Sequence, residues 1–471
     1  MSQVHRARLA AAGVLAAAAS TAPLLAAGSP DSECPNILLI LSDDAGYVDF
    51  GFQGSKEFPT PNLDRLAQSG VVFTQGYVSA SVSSPSRAGL MTGRYQQRFG
   101  HEFNHPGTSP VDSVGMALSE QTMADALSAR GYSTCAIGKW HLGQAPRYHP
   151  LRRGFDEFYG YLGGSRSYFP YKKRPGKGNR AMRNWDFEPD PPNSYVTGTL
   201  TGEAVSFIER HAEEPFFLYL SFTAVHGPMH ALDGDLQAFE HIEKKGRRTL
   251  AGMTAALDRG VGRVLQALEE TDQLDNTFII FLNDNGGATN NHSDNGPLRG
   301  MKGSKWEGGI RVPFLMSWSG VLPEGARYEQ PIISLDVFPT ALAAAGAPVD
   351  ALRTLDGVNL LPFLQGEASD PPHDTLFWRR GVAAAVRQGD WKLIRVSGSP
   401  PLLFNLADDP GETTNLARRR SRIAARLLER LEAWEADLAE PDWYQAKTWE
   451  NYQIRKHQMN IVGRDAERAL P

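Results

Sequence analysis

Asn36-Ile37-Leu38-Leu39-Ile40-Leu41, followed at once by Ser42-Asp43-Asp44, is the stretch on which the fold turns. A short apolar run of this kind fits a strand buried on both faces of a mostly parallel sheet, and the two carboxylates mark its end. The pattern recurs. Phe216-Phe217-Leu218-Tyr219-Leu220 leads to His226, and Thr277-Phe278-Ile279-Ile280-Phe281-Leu282 leads to Asp284-Asn285. Amphipathic stretches from Asn62 to Ala67, Gln121 to Ala129 and Leu250 to Leu268 lie between the runs. Alternating strand and helix predicts an α/β sandwich. In open sheets of that kind ligands bind beyond the carboxyl ends of the strands, where all these polar residues fall.

The chain has 471 residues, which suggests one large unit and one smaller one. Residues 29–366 are read as the larger unit and 367–471 as the smaller. After Pro362-Phe363-Leu364, the runs Val382 to Val386, Trp391 to Arg395 and Leu402 to Leu406 read as a small antiparallel sheet, with Gly389-Asp390 as a turn. Ile423, Leu427, Leu431, Trp434 and Leu438 then hold helical spacing. Pro146 to Tyr195, rich in Arg, Lys, Tyr, Gly and Pro, reads as a long loop region walling a cleft.

Composition narrows the partners. Hydrophobic residues at 41% and charged residues at 21% describe an ordinary globular chain. A net charge of −5 without a long Lys/Arg run argues against nucleic acid. His5, Arg6 and Arg8 precede an Ala-rich apolar run, Leu9 to Leu25, and small residues at Ala26, Ala27 and Gly28. Residues 1–28 therefore read as an export signal, with the export machinery as a partner and a periplasmic or secreted destination. No later stretch is long and apolar enough for a stable membrane span. Cys34 and Cys135 are the two cysteines, able to pair in an oxidising compartment or to remain free.

The run Ser83-Ser84-Pro85-Ser86-Arg87-Ala88-Gly89-Leu90-Met91-Thr92-Gly93-Arg94 carries the chemistry. Its letters alone spell a Ser-rich turn before a helix starting near Arg87. In order and length it resembles the signature of the type I sulfatases. That resemblance implies an alkaline-phosphatase-like α/β sandwich, with a large mostly parallel sheet plus a small C-terminal antiparallel sheet and a helix. It also implies that Ser83 is oxidised to formylglycine by a radical maturation enzyme. The Trp391-Lys392-Leu393 and Asp409-Pro410 segments extend the likeness into the C-terminal unit.

Asp43, Asp44, Asp284 and Asn285 offer only oxygen atoms, which suits a hard divalent cation. Asp-Asp-Ala-Gly and Asp-Asn-Gly-Gly are also ordinary turn sequences. The resemblance places Ca²⁺ on these four with Ser83, while the ligand types leave Mg²⁺ open. The lack of a sequence-adjacent His argues against a zinc phosphatase site.

Cleaving a sulfate monoester builds negative charge on the leaving oxygen, so fixed cations and an acid are required. Gly138-Lys139-Trp140-His141 resembles the family's K-x-H element, with Lys139 for sulfate and His141 for regeneration. On an extended segment residues two apart face the same way. His226, in Val225-His226-Gly227-Pro228, resembles the H-x-P element that binds sulfate and protonates the leaving group. Lys302, before Trp306-Glu307-Gly308-Gly309, would bridge sulfate and ester oxygen. Arg87 would hold the nucleophile and its neighbours, and the Trp-Glu-Gly-Gly run would be architectural.

The substrate expected is a sulfated carbohydrate, for which Arg98, His101, Glu102, Asn104, Arg166, Tyr168, Lys172 and Lys173 are candidate contacts. Two other readings fit the same letters. One is a phosphoester or phosphonate hydrolase using Ser83 directly; the other is a catalytically silent carbohydrate-binding homologue.

Overall fold

A computed structural model describes residues 34–105, 111–173, 175–348 and 355–465. The proposed export signal, residues 1–28, lies outside them. Ten strands form the main sheet, in the order Ala326–Tyr328, Gly70–Phe73, Phe314–Ser317, Thr277–Asn283, Asn36–Ser42, Phe216–Ser221, Ser133–Lys139, Glu157–Tyr161, Met182–Arg183, Asp186–Phe187. The central five, from Thr277–Asn283 to Glu157–Tyr161, are all parallel, and the three anticipated runs sit side by side among them.

Along Asn36–Ser42 the pleat sends successive side chains to opposite faces. Leu38 and Ile40 enter one apolar cluster with the helices Pro61–Gln68, Val196–Arg210 and Lys245–Glu270. Ile37, Leu39 and Leu41 enter the other, with Ser83–Thr92, Met123–Ser128 and Val337–Ala344. Both faces are covered, which is why the strand reads as continuous rather than alternating. Each fully buried Leu or Ile contributes roughly 1.5–3 kcal/mol, so this strand pins the two helical layers together.

Register then places the chemistry. Ser42 pairs with Asn283, Leu41 with Ser221, and Gly138 with Ser221. Asp43, Asp284 and Lys139 therefore emerge at one level of the carboxyl edge.

The smaller sheet has four antiparallel strands, Thr375–Arg380, Ala383–Gln388, Trp391–Val396 and Leu402–Asn405. Leu427, Leu431 and Trp434 of the helix Ser421–Ala436 are buried in the apolar cluster that this sheet helps to form. Lys392 joins this sheet to the short helix Glu307–Ile310. Its ammonium lies 2.7 Å from Glu307 and 2.9 Å from Glu412, with all three side chains fully buried. Tyr77 donates to Glu307 at 2.6 Å. The Trp-Glu-Gly-Gly run thus carries a buried charge that anchors the smaller sheet to the catalytic unit.

Several elements depart from the expectations. The region from Pro146 to Tyr195 is not all loop: it contributes Glu157–Tyr161 to the sheet and a short hairpin, Met182–Arg183 with Asp186–Phe187. Thr375–Arg380 adds a strand, and the chain ends its described portion on a helix, Lys447–Asp465, beyond the anticipated one. The helix carrying Arg87 begins earlier, at Ser83. Cys34 and Cys135 are both free, Cys135 buried. No helix among the described residues is long and apolar enough to cross a membrane.

Candidate active site

Asp43 and Asp44 follow directly from the central strand, and Asp284 and Asn285 from its neighbour. Asp44 turns the chain with φ of 63°, a left-handed conformation that Asp tolerates better than most residues. Its amide meets Asp284 Oδ1 at 3.3 Å, and Asn285 Nδ2 donates to its carboxylate at 2.8 Å. Asn283 holds the turn from beneath, accepting from the amide of Ala45 and donating to its carbonyl.

Ser83 opens the helix Ser83–Thr92, so the positive end of the helix dipole points at its side chain. Arg87 is four residues on and lies on the same face. Ser83 Oγ lies 3.3 Å from Asn285 Oδ1, 3.5 Å from Asp43 Oδ1 and 3.3 Å from Lys139 Nζ. Arg87, fully buried, clasps Asp284 Oδ2 through Nε at 3.2 Å and Nη2 at 3.0 Å, and reaches Asp43 at 3.4 Å. Lys139 also donates to Asp43 Oδ2. Lys302 contacts Asp44 at 2.6 Å.

Three carboxylates thus face three cations. Burial by itself would raise the pKa of Asp43, but Lys139, His226, Arg87 and Lys302 outweigh it and hold the group well below the usual carboxylate range. Asp44 is lowered too, Lys302 and His226 overcoming burial. Asp284 is raised by burial and by the charge on Asp43.

The two imidazoles differ. His226 Nδ1 meets the Gly227 carbonyl at 2.6 Å, and a carbonyl only accepts, so Nδ1 carries a proton. Nε2 then faces Asp44 at 3.6 Å on a side chain that is 23% exposed. Hence His226 stands beside the carboxylates although no His adjoins them in sequence, at the sheet edge where the strand pattern put it. The strands bring together Asp44 and His226, 182 positions apart in the chain, and ligand atoms of Asp43, Asp44 and His226 lie within 4.8 Å of one another.

His141 is half-buried, and burial followed by Lys139 and Arg87 depresses its pKa well below the ordinary value, keeping the ring neutral. It does not continue the strand beyond Lys139. Its φ is 58°, so the shared direction of Lys139 and His141 arises from a left-handed turn, not from extended alternation. A β-carbon on Gly164 would fall 2.6 Å from His141 Nε2, so the bare glycine leaves room for the ring.

The family model described as Sulfatase matches residues 35–347, about two thirds of the chain and the whole of this constellation. The chain belongs to the sulfatase family. It is 34% identical to human N-acetylgalactosamine-6-sulfatase over 440 residues, 82% of each chain. Against human arylsulfatase A identity is 35% over 454 residues, covering 83% of this chain and 85% of the relative. Among solved structures, Ps i-CgsB in complex with k-i-k-neocarrahexaose superposes with a TM-score of 0.83 at 38% identity. That match covers 92% of this chain and 99% of the other. The enzyme is accordingly a sulfuric ester hydrolase.

For a sulfatase the donor set fits a hard cation. Oxygens of Asp43, Asn285 and Ser83 converge within hydrogen-bonding distance, Asp44 and Asp284 adjoin them, and all five residues are buried.

The sugar contacts expected from sequence are placed otherwise. Arg98 forms a two-pronged pair with Asp356 at 2.8–3.0 Å. His101 is buried against Trp443 and bonded to Ser84 Oγ at 2.7 Å. Arg166 is buried between Tyr161 and Tyr171 and pairs with Asp190. Glu102 is taken by Arg379 at 2.7 Å. Polar letters near a signature read as surface, but internal partners claim them here. Asn104 receives the Ser84 amide at 2.9 Å and also lines a cleft beside Asp44, His226 and Lys302, to which no described residue from Pro146 to Tyr195 contributes.

Sequence reasoning missed Arg380, Trp449, Tyr452 and Lys456, which line that cleft from the C-terminal unit. The signal was present in Trp449 and Tyr452, two aromatics three apart in an otherwise polar run.

Proposed function

We propose that this sulfatase removes sulfate from a carbohydrate after Ser83 has been oxidised to formylglycine, with Asp43, Asp44, Asp284 and Asn285 holding Ca²⁺. The hydrated aldehyde supplies two hydroxyls on one carbon, one to attack sulfur and one to expel sulfate, which serine lacks. The cation supplies positive charge that lowers the cost of ionising the attacking hydroxyl.

The chain's own groups do the remainder. Lys139 and Lys302 flank position 83 and neutralise the sulfate oxygens. The Ser83–Thr92 helix adds its amino-terminal dipole. His226, exposed on the open side with its Nδ1 proton committed to Gly227, carries a second proton on Nε2 to the departing alcohol. His141, held neutral, takes the proton from the remaining hydroxyl. Arg87 keeps Asp43 and Asp284 in place without touching substrate.

One observation carries the reading: Ser83 Oγ stands 3.3 Å from both Lys139 Nζ and Asn285 Oδ1 at the head of a helix. Carbohydrate is favoured because Ps i-CgsB, the neighbour with 38% identity, is seen with a neocarrahexaose. The apolar run Leu9 to Leu25 favours export to the periplasm or beyond, and a radical maturation enzyme acting on Ser83 is the further partner.

The test is peptide mass spectrometry of position 83 in a preparation that releases sulfate from sulfated oligosaccharides. Formylglycine at that position is expected. An unmodified serine in fully active protein refutes the chemistry.

A further inference from the structure

A cleft of about 720 Å³ opens over the reacting groups. Asp44, His226 and Lys302 form one side of it, and Arg380, Trp449 and Lys456 form the other. The far side holds more positive charge than the sulfate alone requires. Arg380 is buried and has no ion pair among the described residues; Nη2 donates to Gln445 at 2.8 Å while Nε has no partner. Glu102, whose charge it feels, is engaged by Arg379. Lys456 donates to the Lys302 carbonyl at 2.9 Å and lies 4.9 Å from the Tyr452 ring centre.

The two cations meet over Gly303. A β-carbon there would stand 3.4 Å from Arg380 Nη1 and 3.6 Å from Lys456 Nζ. With φ of +86° the position suits glycine, which leaves the space above it clear. Burial draws Arg380 down to about 10, and burial with Arg380 and Lys302 draws Lys456 down to about 8. Cations in that state gain from an incoming anion. Beside them Trp449 and Tyr452 are 53% and 47% exposed, edge to face at 5.6 Å, and present an apolar corner to the cleft.

The geometry points to a second anion subsite, built from Arg380 and Lys456 over Gly303. It takes a singly charged oxyanion on the sugar next to the one being desulfated, while Trp449 and Tyr452 support that sugar's ring. The substrate is then a chain carrying more than one anionic group. This inference rests on the carbohydrate reading above and specifies its substrate class.

Kinetics on a disaccharide monosulfate and the matching disulfate, whose second sulfate sits on the neighbouring sugar, test it. Wild-type kcat/KM should favour the disulfate about tenfold, the scale of one charged hydrogen bond. Lys456→Met and Arg380→Gln should each bring that ratio close to one, and Lys456→Arg should retain it. A uronate carboxylate in place of the second sulfate separates oxyanion recognition from sulfate recognition. A wild-type ratio near one, or a ratio that survives both substitutions, overturns the subsite. Calorimetry of the same two sugars on Ser83→Ala protein reads the preference without turnover. If matured wild type releases no sulfate from any sugar, the carbohydrate reading fails, while the calorimetric ratio still decides the subsite.

Discussion

Two clusters of buried charge sit in this molecule, and they are built to opposite ends. Lys392, Glu307 and Glu412 are themselves fully enclosed, and their partners are internal. Around Asp43, Asp44 and Asp284 the enclosure is broken on one side, where Lys302 is 18% and His226 23% exposed. Burial of charge therefore does not identify a site by itself. What separates the two is the open face: one cluster can exchange a partner for a ligand, whereas the other can only be broken.

Substitutions at the two clusters should part company. Ser83→Ala is expected to reduce sulfate release by at least about a thousandfold while leaving the unfolding midpoint close to wild type. Retained activity would end the comparison. Lys392→Met should do the reverse. Removing the ammonium leaves two carboxyls facing each other in the dark, at a cost of about 3–5 kcal/mol in denaturant unfolding. The folded fraction should keep its specific activity.

The same cluster predicts a pH signature. Glu412 is raised to about 7, by burial first and by Glu307 as well, against an ordinary value of 4.5. The folded chain then binds an extra proton between those values, so Glu412 weakens the fold as pH climbs through that window. Glu307, lowered to about 2 chiefly by Lys392 against its burial, acts in the other direction, its contribution lost only as pH falls below 4.5. Glu412→Gln should gain on wild type by roughly 1–3 kcal/mol between pH 4.5 and 7 and stay level above. A flat difference across unfolding curves taken from pH 4.5 to 8 contradicts this assignment.

Smaller effects sharpen the boundary of the site. Arg98→Ala should cost about 1–2 kcal/mol through the lost pair with Asp356, with KM for sulfated substrates little altered. A large rise in KM would return Arg98 to the substrate. Arg183→Ala, on an exposed pair with Glu203, should change stability by less than about 0.5 kcal/mol.

The central sheet was legible because Ile37 to Leu41 and Phe278 to Leu282 bury both faces and carry no competing pattern. The strand ends were equally plain, since carboxylates cannot remain inside an apolar layer unpaired. Glu157–Tyr161 was hidden because Tyr159 and Gly160 sit among arginines and glycines that punctuate loops. Thr375–Arg380 alternates buried and half-buried residues, but Arg380 falls on the buried side and interrupts its apolar face. His226 beside Asp44 is a matter of register between strands, which no local window contains. The helix Lys447–Asp465 lacks an apolar stripe. It docks through His457, which accepts the Lys305 amide at 3.0 Å, and through buried Gln453.

That helix has a consequence for how such an enzyme changes. Its 19 residues lie beyond the matched segment 35–347, yet they furnish the far wall of the cleft. On the proposed reading, appetite and reactivity are written in separate paragraphs of the sequence. Redrafting the later paragraph would send the same blade to a different cloth.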